Sequence, residues 1–80
     1  MRVSYDPVAD AAYIHLTEEE LMPGRASIGL ELPQGVQGMV VMDWREGKIT
    51  GIEVLDASHL LYADLLAKAT RPGPRPSKGP

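Results

Sequence analysis

Asp6 and Asp10 stand four residues apart around Pro7, close enough to share one turn. A pair of carboxylates can do acid–base work or hold a hard cation when other groups complete the site. A glycosidase-type pair also needs a sugar-sized cleft, and a calcium loop needs several more oxygen ligands at fixed spacing. Neither accompanies these residues. A mechanical role asks for less, because a turn aspartate accepts hydrogen bonds from backbone N–H groups just ahead of it. Asp6 and Asp10 are therefore expected to hold the turn.

Asp56, Ser58 and His59 supply the residue types of an orienting acid, a nucleophile and a base. They are nearly contiguous, however, and helix neighbours one apart do not face each other. No Gly-x-Ser-x-Gly elbow surrounds the serine. Asp56 or Ser58 capping a helix start accounts for them better. Tyr13 and His15 alternate along an apolar segment and so share one face. With Asp6 they form the candidate ligand-binding group of an alternative function, a small-ligand-binding protein or minor enzyme using proton chemistry, since an imidazole with a pKa near ~6.5 suits neutral pH. A surface histidine on a strand needs no such role. No catalytic residue or metal site is assigned. Cysteine is absent, the histidines number only two, and no phosphate loop or dinucleotide fingerprint calls for a cofactor.

Five segments read as strands: 2–5, 11–16, 25–32, 37–44 and 48–55, with apolar residues at alternate positions. Between the last two, Arg45-Glu46-Gly47 suits a three-residue hairpin with Gly47 left-handed. That loop predicts Trp44 opposite Lys48, Met42 opposite Thr50 and Val40 opposite Ile52. One face then carries Val40, Met42, Trp44, Ile52 and Val54. The other carries Met39, Val41, Ile49 and Leu55, interrupted by Asp43 and Glu53. A sheet with one wet face should alternate cleanly, so both faces are expected to be covered. After Asp56, residues Leu61, Leu65, Leu66 and Ala69 fall on one helical stripe. The fold expected is α+β, a small antiparallel sheet of four to five strands followed by one C-terminal helix, over residues 1–70. Residues 71–80, with four prolines and three basic side chains, read as a disordered tail.

Eighty residues make one small domain, and below about 70–80 residues a single core rarely supplies more than ~3–5 kcal/mol without a staple. Disulfides and metals are not on offer, so oligomerisation is the expected staple. A homodimer through Met39, Val41, Ile49 and Leu55 would bury the second face. Residues 1–70 hold five basic and eleven acidic side chains, a charge of −6, which repels phosphates and argues against nucleic-acid binding. Glu18 to Glu20 is an acidic run that suits solvent or a basic partner. No apolar run reaches the ~20 residues that span a bilayer, and no signal-peptide pattern opens the chain. Together these predict a cytoplasmic protein without a membrane role.

Two segments carry a family resemblance: Tyr5-Asp6-Pro7-Val8-Ala9-Asp10-Ala11-Ala12-Tyr13-Ile14 and Gly51-Ile52-Glu53-Val54-Leu55-Asp56-Ala57-Ser58. The chain resembles a widespread small bacterial family, the domain of unknown function 2283, from the start to about Leu66. The middle, 17–37, matches loosely, and Leu61-Tyr62 stands where relatives commonly read Leu-Pro. The resemblance implies no established activity, cofactor or catalytic residue. Relatives are sometimes encoded beside small toxin-like proteins, which implies an antitoxin-like or regulatory role with a small protein partner. A non-enzymatic, self-associating interaction module is the function expected.

Overall fold

In the computed structural model, residues 2–18 and 26–71 are described. Five strands, β1 Arg2–Asp6, β2 Ala11–His15, β3 Ala26–Leu30, β4 Met39–Arg45 and β5 Lys48–Leu55, precede two short helices, α1 Ala57–Leu60 and α2 Ala63–Lys68. The strands form one antiparallel sheet in the order β1-β2-β5-β4-β3. The fold is thus α+β, with two small helices where the leucine spacing predicts one. The expected tail falls mostly on 72–80 and the acidic run partly on 19–20, outside the described residues.

The β1–β2 connection is set by Asp6, whose Oδ1 accepts from the N–H of Val8 at 3.0 Å and of Ala9 at 3.5 Å. Proline at the next position fixes its own φ and has no N–H to satisfy, so the reversal starts there.

The β4–β5 hairpin differs from the expected register in two places. Arg45 pairs directly with Lys48, so the loop has two residues, Glu46 at φ 55° and Gly47 at φ 78°. Two consecutive positive φ values match the twist of the flanking strands better than a longer loop. A bulge follows, since Trp44 faces Ile49 but Asp43 faces Gly51, leaving Thr50 as the extra residue. Met42 therefore pairs with Ile52 and Val40 with Val54, each two residues on from expectation. Directly opposed residues project to the same face. Ile49, opposite Trp44, thus leaves the set Met39, Val41 and Leu55 and joins the face of Met42 and Val40.

The helices cover the face of Val40, Ile52 and Val54. Ala12, Val54 and Ala57 are buried there, with Tyr5, Val40, Ile52, Leu60, Leu61 and Leu66 packed around them. Leu65, expected on the core stripe, is exposed, and Leu60 packs in its stead. The cause is an extended link, Leu61 at φ −116°, ψ 148° and Tyr62 at φ −68°, ψ 148°, which rotates α2 relative to α1. Past α2, Thr70 returns beside β1. It accepts from the N–H of Tyr5 at 2.8 Å and donates to the carbonyl of Val3 at 2.9 Å. No helix among the described residues is long and apolar enough to cross a membrane.

Tyr62 already holds the φ that a proline ring would lock, Leu61 before it is in the extended region that proline requires, and the Tyr62 side chain is exposed. Its N–H stands at a helix start, where no intrahelical partner exists. Tyr62→Pro is expected to stabilise the domain by about 0.4–1 kcal/mol by restricting the unfolded chain. Urea denaturation checks this, and a lowered midpoint would contradict it.

Candidate functional site

Two polar clusters stand at opposite sides of the sheet. The first is built around Asp10, the last residue of the β1–β2 turn, held at φ 54°. Its Oδ1 accepts from the Tyr5 hydroxyl at 2.7 Å and from the Ser58 N–H at 3.0 Å, and its Oδ2 from the Ser58 hydroxyl at 2.7 Å. Its carbonyl also accepts from the Ala57 N–H at 2.9 Å. One residue from the first turn therefore ties β1 to the start of α1. This corrects the expected cap. Asp56 occupies the position before α1 but is left-handed, φ 58° and ψ 45°, and makes no side-chain cap bond. The exposed N–H groups go to Asp10 across the fold, and Ser58 is Asp10's partner rather than a cap of its own helix.

The electrostatics follow from those donors. The Tyr5 hydroxyl, then Ser58, hold the Asp10 carboxyl below its usual 3.8. The same bond, with desolvation and the nearby carboxylates, raises the Tyr5 phenol above 10.0. A carboxylate so stabilised is a weak base, poorly matched to proton abstraction near neutral pH. Asp56 and His59 also approach, with one ligand atom from each of Asp10, Asp56 and His59 within 4.8 Å of the others. Both Asp10 oxygens already receive protein donors, the arrangement of a brace. Asp56, Ser58 and His59 are not linked as acid, nucleophile and base, because the Ser58 hydroxyl is directed at Asp10.

The second cluster lies on the sheet face away from the helices. Tyr13 and His15 are both there, with ring centroids 4.7 Å apart in edge-on contact. The Tyr13 hydroxyl donates to Asp43 Oδ2 at 2.7 Å, and the Ser27 hydroxyl to Asp43 Oδ1 at 2.7 Å. These donors explain how Asp43 can be 4 % exposed without the penalty of an unpaired buried carboxylate. Arg2 Nη2 donates to His15 Nδ1 at 3.1 Å, while Ser4 Oγ lies 3.3 Å from His15 Nε2. A guanidinium can only donate, so Nδ1 accepts and the neutral ring carries its proton on Nε2, facing Ser4. His15 is thus a donor to Ser4 and not the base that would activate it. Asp6, the third member of the candidate ligand group, spends Oδ1 on its own turn. A shallow depression of about 290 Å³ between β1 and α2 is lined by Arg2, Val3, Leu65, Lys68, Ala69 and Thr70, and Tyr13, His15 and Asp6 take no part in it.

Of the residues expected at an interface, Met39 and Leu55 form a cross-strand pair and Val41 faces Glu53 two residues on. Met39 is 52 % exposed. Two features of this face escaped sequence reasoning: the role of Asp43 as acceptor for two hydroxyls, and the glycine beneath Tyr13. Gly51 within an apolar strand was the available signal, since such a glycine marks a close approach.

The model of a family described as Protein of unknown function (DUF2283) matches residues 2–58, more than half of the chain. The chain belongs to this family. The match takes in both polar clusters and all five strands, and ends at Ser58, the far end of the Asp10 brace. No curated protein and no solved structure matches the chain.

Proposed function

We propose that the domain is a non-enzymatic, self-associating protein-interaction module. One observation carries this: among the described residues the buried apolar side chains are Ala12, Val54 and Ala57, and no large one is fully buried. Ile28 at 55 %, Leu30 at 44 % and Met39 at 52 % exposed stay in water instead. Each Å² of apolar surface left there forgoes about 25 cal/mol of stabilisation. A second copy supplies the missing cover most economically, because two-fold dimers are the commonest oligomers. Both polar clusters serve as braces, with the Asp10 and Asp43 carboxylates bonded to the protein's own donors as Asp6 is in its turn, and this supports a structural domain over an enzyme.

The finer form of the proposal is a cytoplasmic bacterial regulator, antitoxin-like, that also holds a small protein partner. The family resemblance supports it, as does a cysteine-free body of net charge −6 over residues 1–70, which suits a basic partner. Sedimentation at micromolar concentrations should give a dimer, with a thermal midpoint that rises with protein concentration. A monomer whose midpoint is independent of concentration would overturn the proposal.

A further inference from the structure

We propose that two copies join antiparallel through β3, about a two-fold axis at Ile28, to make one continuous sheet. This rests on the self-association proposed above and names its surface. The sheet has two edges, β1 and β3. The β1 edge is blocked at its centre by Thr70, which bridges to Ser4 and takes up the outward Tyr5 N–H and Val3 carbonyl. The outer side of β3 has no backbone partner among the described residues, and all five of its residues are exposed.

Proteins guard open edges with charges, prolines, bulges or a covering segment. Ala26-Ser27-Ile28-Gly29-Leu30 has no charge and no proline, and the bulge of this sheet lies elsewhere, beside Asp43 and Trp44. The strand also complements itself. Opposed residues must project to the same face, so a two-fold normal to the sheet has to pass through a residue. Only Ile28 leaves all five residues paired. It sets Ala26 against the partner's Leu30, a small side chain beside a large one, and Ser27 against the partner's Gly29, which leaves the serine room. At the axis, Ile28 meets the partner's Ile28. Ile28 and Leu30 share a face with Met42 and Val40, so pairing extends the apolar face across the axis. Main-chain hydrogen bonds supply the remaining attraction, as in other strand additions.

Charge exchange at the axis tests this. Ile28 is exposed, so Ile28→Lys and Ile28→Glu should each fold, which circular dichroism monitors, and each alone should sediment at half the wild-type mass. Mixed in equal amounts they should recover the dimer mass, because like charges at the axis become opposite ones. Amide exchange of the wild type offers a readout without substitution: protection of 27–30 should rise with protein concentration. If the Ile28 variants stay dimeric while Val41→Glu dissociates the protein, the pairing runs through the Met39, Val41 and Leu55 face. The edge is then wrong and self-association stands. A wild-type monomer at all micromolar concentrations would overturn both.

Discussion

Gly51→Ala is expected to destabilise the domain by about 1–3 kcal/mol, the range for forcing extra atoms into a packed site. Gly51 is buried at the centre of the sheet, between His15 of β2 and Asp43 of β4. A Cβ there would lie 2.6 Å from Tyr13 Cε2 and 2.5 Å from its Cζ, and closer still to the hydroxyl. Backbone propensity pulls the other way, since alanine in a strand outdoes glycine by roughly 0.5–1 kcal/mol, but it is the smaller effect. Relief requires the ring to move, and its bond to the Asp43 carboxylate would go with it. The mechanism is separable by a double-mutant cycle: in a Tyr13→Ala background, Gly51→Ala should cost far less. Urea midpoints of the four proteins decide. A Gly51→Ala protein as stable as the wild type would mean that the ring does not need this gap.

The same glycine illustrates how far the sequence could be read. Strand alternation located all five strands, because period-two patterning is imposed by burial itself. The face shared by Val40, Met42, Trp44, Ile52 and Val54 could also be read, for a reason that register alone would not suggest. The hairpin is one residue tighter than expected and the bulge adds one more, so beyond the bulge the pairing moves by two and parity is restored. Ile49 lies between the two changes, sees only the first, and changes face. Neither change has a strong local signature: Glu46 is an unusual residue for a left-handed turn position, and a bulge answers to the twist of the whole sheet.

The sites were legible as residues and illegible as partnerships. Asp10 and Ser58 are 48 positions apart, and no spacing rule links a turn to a helix start across that distance. Local logic therefore gave the helix start to Asp56, which stands beside it in sequence. Asp43 looked like an interruption of an apolar face because its donors, Tyr13 and Ser27, come from two other strands. The helix break at Leu61-Tyr62 is set by where Leu60, Leu61 and Leu66 must reach the core, a tertiary demand that leucine spacing cannot express.

Asp10→Asn is expected to lower the thermal midpoint by several degrees near neutral pH and by progressively less in acid. Asn keeps an acceptor oxygen but loses the charge that strengthens the bonds from Tyr5 and Ser58. The pH dependence follows from linkage. The native Asp10 carboxyl titrates below 3.8, so above that value both folded and unfolded chains are ionised and the full contribution is present. As pH falls from there through the native value, the unfolded chain takes up its proton first and the contribution is lost. The Tyr5 phenol, raised above 10.0, gives the opposite limb: its contribution is complete below that value and disappears as pH climbs through the native one. The wild type should therefore hold a plateau between these limits and fall off at both. Asp10→Asn should flatten the acid limb, and Tyr5→Phe should remove the alkaline limb while softening the acid one, since it deletes the donor that depresses Asp10 most. Melting curves at fixed protein concentration, from about pH 2 to about pH 11, measure both limbs. An acid limb of unchanged steepness in Asp10→Asn would place the responsible carboxylate elsewhere, and the brace between the first turn and α1 would then contribute no charge-dependent stability.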